Sequence, residues 1–482
     1  MSGIQQQIEL DTESAALPQR RDRARVRPEP AARDTTQSRA LDRVFAIAFA
    51  AGLAWAPFWL GGAWRLPWGV NALLFPGLAL TWEISRLAAR RAPPLPACEI
   101  AGPLGLFLIA LLWISAQMYP SGIAPTVAAL GDKTPATISL DPSATAIAAV
   151  RLLTDACAFW LAAQLGRDAN VSLALLRAVA AIVTLYSAYG LFLAAAYDNA
   201  IPGFAPADGG GEVRSTFINR NSFAAFAGLG LMTILGLAAR RGTADSGASR
   251  LAHGLERLGL RGGLIAAGLV VVAALLGSAS RGGILSCAVG VVALFGLLAE
   301  RRRRRAEARS SLLVAGLMLG LAFAAFAGPI GVRLADVGLF DARRLAVYRI
   351  VGGAILERPF TGFGYGAFAE TFPLYRDATL SPVGVWEMAH NAYLELALGL
   401  GLVVAAALIV ALGLLARRCL LGALSRNRNQ EAPLIATSAC ALIGVNALVD
   451  YSVQIEGVTL TFVTLLGLGV AQSPRARGRA PC

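Results

Sequence analysis

Residues 263–305 read GLIAAGLVVVAALLGSASRGGILSCAVGVVALFGLLAERRRRR. Two apolar runs, 263–280 and 282–299, each approach the ~20 residues an α-helix needs to cross a hydrocarbon core. Between them stands Ser278-Ala-Ser-Arg-Gly-Gly, which has room only for a tight turn, and Arg301 to Arg305 close the second run. Two antiparallel crossings with the arginines held inside is the simplest reading. The pattern recurs outward in both directions. Twelve spans are expected, at 43–63, 67–87, 98–119, 144–166, 172–196, 220–239, 263–280, 282–299, 310–330, 391–416, 433–449 and 455–472.

Composition supports this reading. Of 482 residues, 56% are hydrophobic and 15% charged, against roughly 25% charged in soluble proteins, so an ordinary soluble enzyme is excluded. The net charge is +13 and Lys133 is the only lysine. The arginines lie between apolar blocks, where they orient a membrane protein; nucleic acid is not an expected partner. With the amino terminus inside, the arginine-rich gaps (86–91, 240–261, 301–305, 417–428) and the tail after 472 all fall on the inner side. Arg301–Arg305 is expected to meet anionic lipid headgroups. Arg151 and Asp155, spaced i, i+4 inside the fourth span, are expected to pair on one helix face.

Three regions complete the organisation. Residues 1–40, rich in Arg, Pro and Gln, read as a disordered cytoplasmic tail; 41–472 form the membrane domain; 473–482 are a second basic tail. A large outer loop spans 331–390. Within it, Leu345, Tyr348, Val351 or Gly352, and Ile355 recur at helical spacing and suggest an amphipathic helix flat on the outer leaflet. That helix should stop near Glu357-Arg358, since Pro359 disfavours helix before it. A glycine-rich turn follows at 361–368. It has no strand–helix surround and is no nucleotide fingerprint. Glycines such as Gly228, Gly230, Gly399 and Gly401 are expected to let helices pack closely. The six cysteines read as core residues or free thiols, with neither a disulfide framework nor a zinc site.

Topological parity sorts the chemistry. Three polar elements emerge on the outer face: Arg214-Ser-Thr-Phe-Ile-Asn-Arg-Asn-Ser-Phe (214–223), the turn 278–283, and His390-Asn391 with Tyr393, Leu394 and Glu395. Arg281 sits at the membrane edge, either snorkelling to headgroups or presenting a planar fork to phosphate oxygens. Arg214 and Arg220 are further cations on that face. Only two histidines exist; His253 falls in an inner, arginine-rich loop and reads as a solvated residue. His390 stands where a polar loop meets the bilayer, either as a structural hydrogen-bonding group or as a proton acceptor near neutral pH. Two histidines on opposite sides cannot share a metal, and no metal or other cofactor is indicated.

These four pieces, 214–224, Ser280-Arg-Gly-Gly, Gly362-Phe-Gly-Tyr-Gly-Ala-Phe and His390-Asn-Ala-Tyr-Leu-Glu, resemble in order the O-antigen ligase and Wzy-type polymerase superfamily of bacterial envelope glycosyltransferases. The resemblance covers roughly residues 140–420. The family pattern often has Gly at Ser215 and His at Ser222, so those positions depart from it. The resemblance implies an all-α, GT-C-like, polytopic protein of the bacterial inner membrane with about twelve transmembrane helices and a large periplasmic loop containing interfacial helices. It implies metal-free, inverting transfer of a glycan from undecaprenyl pyrophosphate to an acceptor hydroxyl on the periplasmic face. The acceptor is a glycan, a lipid A-core sugar or a protein hydroxyl. In that scheme His390 is the general base or orients the hydroxyl. Arg214 and Arg281 hold the pyrophosphate, Arg220 adds a contact, and Asn391 fixes the imidazole tautomer. A twelve-span transporter is the rival class. It would favour similar halves and polar groups at mid-membrane, for which Arg151 and Asp155 are the main evidence.

Overall fold

The computed structural model describes residues 31–120, 136–201, 211–240, 250–304, 342–381, 384–426 and 429–474. The expected terminal tails beyond them, the ninth span at 310–330 and most of the polar segment 120–143 lie outside the described residues. The chain divides into two units, Met1–Leu41 and Asp42–Cys482. Of the first, the described part is the start of α1 (Ala31–Trp55). That helix begins inside the stretch expected to be a disordered tail. Residues 31–40 contain no proline, the last being Pro30, so nothing interrupts the helix running back to that point.

The second unit is helical, and no strand occurs among the described residues. In chain order follow α2 (Arg65–Ala88), α3 (Ala101–Gln117), α4 (Pro142–Leu165), α5 (Ala169–Ala196) and α6 (Arg220–Ala238). Then come α7 (Arg250–Gly277) and α8 (Arg281–Arg304), separated by the expected turn. The outer loop contributes α9 (Ala342–Glu357) and α10 (Phe368–Tyr375); α11 (Ala392–Leu400), α12 (Leu402–Ser425), α13 (Glu431–Asn446) and α14 (Glu456–Gln472) complete the chain. By length and composition six helical segments can cross a membrane: Ala97–Gln117, α4, α5, α6, Arg281–Arg301 and α12. Three shorter apolar helices, Arg261–Gly277, α13 and α14, accompany them. This is a polytopic membrane architecture.

Helix starts follow the sequence chemistry. Asp141 caps α4, accepting from the N–H groups of Ser143 and Ala144, with Pro142 in the first turn. Asp168 caps α5 in the same manner, as short polar side chains do where the first N–H groups lack partners. The centre of the bundle is α6, α13 and α14, which are buried along most of their length. Close approach there depends on glycine. A Cβ on Gly230 would lie 2.2 Å from Val183 Cγ1, so α5 and α6 could not meet as they do. At one end, Glu99 receives Arg167 (2.9 Å) and Arg418 (2.6 Å), joining α3, the α4–α5 link and α12.

Several sequence expectations change. The tenth span, expected at 391–416, is broken: α11 ends at Leu400, Gly401 takes φ +78°, and α12 begins afresh and runs on to Ser425. The glycine-rich turn docks on that break, backbone to backbone. Phe363 N–H donates to Leu398 O (2.9 Å) and Gly364 N–H to Gly399 O (3.0 Å). Gln117 donates to both Thr361 O and Gly399 O (2.8 Å each). Only glycine fits at 362, where φ is +65° and a Cβ would stand 2.4 Å from Gly399 O.

The loop helix α9 ends at Glu357 as expected, but its buried face is Val347, Ile350, Val351, Ala354 and Ile355, while Leu345 is exposed. The stripe is turned from the expected one because α9 packs into a core with α3, α11 and α12 instead of only resting on lipid. Arg151 pairs with Glu456 of α14 (3.7 Å), not with Asp155. Its guanidinium also lies 4.3 Å from the Trp68 ring and donates to Gln454 O. Of the run Arg301–Arg305 only the first side chain is described: Arg301 is buried and donates to Arg426 O, while the side chains of 302–305 lie outside the described residues. Among the described residues four cysteines are free; Cys98, expected to be a core residue or free thiol, is disulfide-bonded.

Candidate active site

The site is built from helix starts. Asn219 caps α6, its side chain accepting from Asn221 N–H (2.8 Å), which fixes Arg220 at the first helical position. The preceding irregular segment is tied down at two points. Val213 N–H donates to Gly277 O (2.9 Å), and Thr216 Oγ1 donates to Pro57 O (2.6 Å). Ser215 sits at φ +52°, the left-handed region that glycine occupies without strain. Its hydroxyl donates to Tyr186 O (2.7 Å), a bond glycine could not make.

A second helix start carries the histidine. Asn391 caps α11: its Oδ1 accepts from Tyr393 and Leu394 N–H (3.1 Å each), and its Nδ2 donates to Leu448 O (2.9 Å). Both ends of the amide are engaged with backbone, so Asn391 positions the chain and does not fix the imidazole. His390, immediately before it, has φ +54°, a conformation that surrounding structure must hold. Tyr348 of α9 supplies one restraint, donating its hydroxyl to His390 O (2.8 Å).

The imidazole lies between two aromatic rings, Trp386 at 5.7 Å and Tyr451 at 4.9 Å between centroids, both edge-on. Nδ1 faces Asp450 Oδ1 at 3.6 Å. Asp450 is buried, and its carboxylate also accepts from Asn221 Nδ2 (3.4 Å) and the Ser452 hydroxyl. Ser280, next to Arg281, donates to Asn221 Oδ1 (2.7 Å). The three outer-face elements of the sequence therefore meet in one network. An acid on the Nδ1 side favours the neutral ring's proton there, which makes Nε2 the acceptor nitrogen. Burial raises the Tyr451 phenol above its ordinary range, against a hydrogen bond with Asn219, so the phenol stays protonated.

A cavity of ≈ 440 Å³ opens in front of the imidazole. Three guanidinium groups line it, Arg214, Arg220 and Arg344, together with His390 and Tyr451. Glu212 shares the wall and forms an ion pair with Arg220. Of the residues singled out in the sequence, Arg214, Arg220 and His390 come together here. Arg281 opens α8 beside Ser280 but does not line the cavity; Asn391 is buried behind it. His253 lies in α7, and its side chain is outside the described residues. No group of three His, Cys, Asp or Glu residues suited to a metal gathers among the described residues.

Sequence reasoning missed Arg344, Asp450, Tyr451 and Glu212. Asp450 and Tyr451 occupy the gap between the last two expected spans. The same parity that placed His390 on the outer face would have placed them there too.

A helical membrane bundle with an arginine-lined cavity beside a histidine–aspartate pair is the class of protein this architecture defines. The O-antigen ligase family model matches residues 265–409, from within α7 to within α12, and the match supports the resemblance to the O-antigen ligase and Wzy-type superfamily. It takes in Arg281, Arg344, Tyr348, the glycine-rich turn and His390, and leaves out 214–223 and Asp450. The match supports glycan transfer of the ligase or polymerase type in general. No curated protein matches the chain.

Proposed function

We propose that this protein transfers a glycan from undecaprenyl pyrophosphate to an acceptor hydroxyl, with inversion and without a metal, on the periplasmic face of the bacterial inner membrane. The observation that carries this reading is the single cavity lined by three arginines and His390, with Asp450 buried behind the imidazole. His390 Nε2 accepts the proton of the acceptor hydroxyl, whose oxygen attacks the anomeric carbon. The bond from that carbon to the pyrophosphate oxygen breaks, and its electron pair leaves on that oxygen with undecaprenyl pyrophosphate. One displacement from the opposite face inverts the centre. Guanidinium groups of Arg214 and Arg220, with Arg281 reached as the donor settles, stabilise the charge on the leaving group. Asp450 stabilises the imidazolium that forms.

The transporter reading rested on Arg151 and Asp155; the guanidinium of Arg151 is engaged by Glu456, a backbone carbonyl and an indole, an arrangement that a structural role accounts for. The test is purified protein with undecaprenyl-pyrophosphate-linked glycan and candidate acceptors, in chelator. Product is expected from wild type and is lost in His390→Ala. Strict dependence on an added divalent ion, or full activity in His390→Ala, overturns the proposal.

A further inference from the structure

Of the carboxylates near the cavity, Asp450 faces His390 and Glu212 pairs with Arg220, and these two stand differently. Asp450 is 2% exposed, lies behind His390 and does not line the open space. Glu212 is 24% exposed, lines that space, and contacts the Arg220 Nη1 from within it. A carboxylate that merely braced a guanidinium would sit on its buried side and leave the outward N–H groups to the ligand. Glu212 instead lines the same cavity as the guanidinium it pairs with, and so takes up a donor of a group that a phosphate entering the cavity would meet. Its backbone is fixed there by Val213, whose side chain is buried and whose N–H donates to Gly277 O at 2.9 Å.

Electrostatics gives this arrangement a purpose. Arg214, Arg220 and Arg344 share one small cavity, and like charges so gathered repel one another unless an anion is present. An ion pair open to water is weak and screened by salt, and Arg220 is 39% exposed. A ligand bearing two or more negative charges can therefore displace Glu212.

We propose that Glu212 is a resident counter-anion: it screens the arginines when the cavity is empty, yields Arg220 to the pyrophosphate, and returns as the pyrophosphate leaves. This rests on the cavity being the pyrophosphate site. In turnover it predicts that removing the carboxylate tightens donor binding and slows release of the lipid pyrophosphate, so that KM and kcat fall together.

Inorganic pyrophosphate is the probe, titrated calorimetrically into the purified full chain at about 50 mM salt. Glu212→Gln is expected to bind it about three- to fivefold more tightly than wild type, with the gain shrinking as salt rises. Glu212→Ala should do the same, which separates loss of the charge from any new amide contact. In an Arg220→Gln background the Glu212→Gln effect should fall below twofold, since the two groups act as one unit. Equal or weaker binding in both Glu212 variants overturns the inference and makes Glu212 a brace or a bystander. Pyrophosphate binding that ignores Arg214→Gln and Arg220→Gln alike overturns instead the assignment of the cavity itself.

Discussion

Replacing Asp450 by asparagine removes one charge and almost no volume. The carboxylate lies 3.6 Å from His390 Nδ1. Coulomb's law at an effective dielectric of about 20 gives ~4–5 kcal/mol between unit charges at that distance. In the transition state the imidazole has taken on only part of the acceptor's proton. Half a charge corresponds to ~2 kcal/mol, or about 30-fold in rate, and complete transfer to an upper bound on the order of 10³. Asp450 does not line the cavity, so substrate binding should not change. The expected outcome is a kcat for transfer lowered about 30-fold or more, with donor KM within about twofold of wild type. Steady-state transfer by purified protein measures both. Because Asp450 also accepts from Asn221 and Ser452, a thermal melt must accompany the kinetics. In a His390→Ala background the same substitution should add little, since base and orienting acid work as a unit. A folded Asp450→Asn protein with kcat within threefold of wild type would refute the histidine–aspartate argument. So would a change confined to KM.

Two further outcomes follow from the geometry around that pair and from the buried ion pair in the bundle. Tyr348→Phe deletes the hydroxyl that restrains His390 O in its left-handed conformation. A hydrogen bond of about 1 kcal/mol should appear as a three- to tenfold fall in kcat with KM unchanged; an unchanged kcat would mean the other contacts suffice to hold the backbone. Arg151→Gln leaves Glu456, 2% exposed, without its cation, and breaking a buried pair from one side costs about 3–5 kcal/mol. The melting temperature in detergent should drop sharply, and Arg151→Met combined with Glu456→Gln should recover most of it. A wild-type melt for the single variant would show that the pair contributes nothing.

Much of the architecture was legible because its causes are local. The apolar runs between arginine clusters announce crossings, whereas the caps Asp141, Asp168, Asn219 and Asn391 were recognised only in the structure. Parity then predicted that 214–223, 278–283 and 390–395 would share a face, and the Ser280–Asn221–Asp450–His390 network joins all three. What stayed hidden depends on partners distant in the chain. Arg151 looked like half of an i, i+4 pair because Glu456 is some three hundred residues away. The break between α11 and α12 is invisible in an unbroken apolar run, since it is imposed by the glycine-rich turn inserting its backbone at Gly399 and Gly401. The buried face of α9 could not be phased without the helices it packs on.

Ser215 shows how a departure from the family pattern can be read once the backbone is known. The position needs a left-handed residue, so glycine is the expected occupant on conformational grounds alone. Serine there is strained by an amount on the order of 1 kcal/mol, and its hydroxyl bond to Tyr186 O offsets a cost of similar size. The substitution therefore leaves the path of 214–219, and with it the placement of Arg214 and Arg220, intact. The position is restrained by backbone shape rather than by contact with substrate, because Ser215 is buried and lines no part of the cavity. By the same reasoning Arg220 depends on the Asn219 cap as much as on its own charge: a guanidinium at the first position of α6 is aimed by the turn that precedes it, and a shift of that turn would misplace it without altering a single charge.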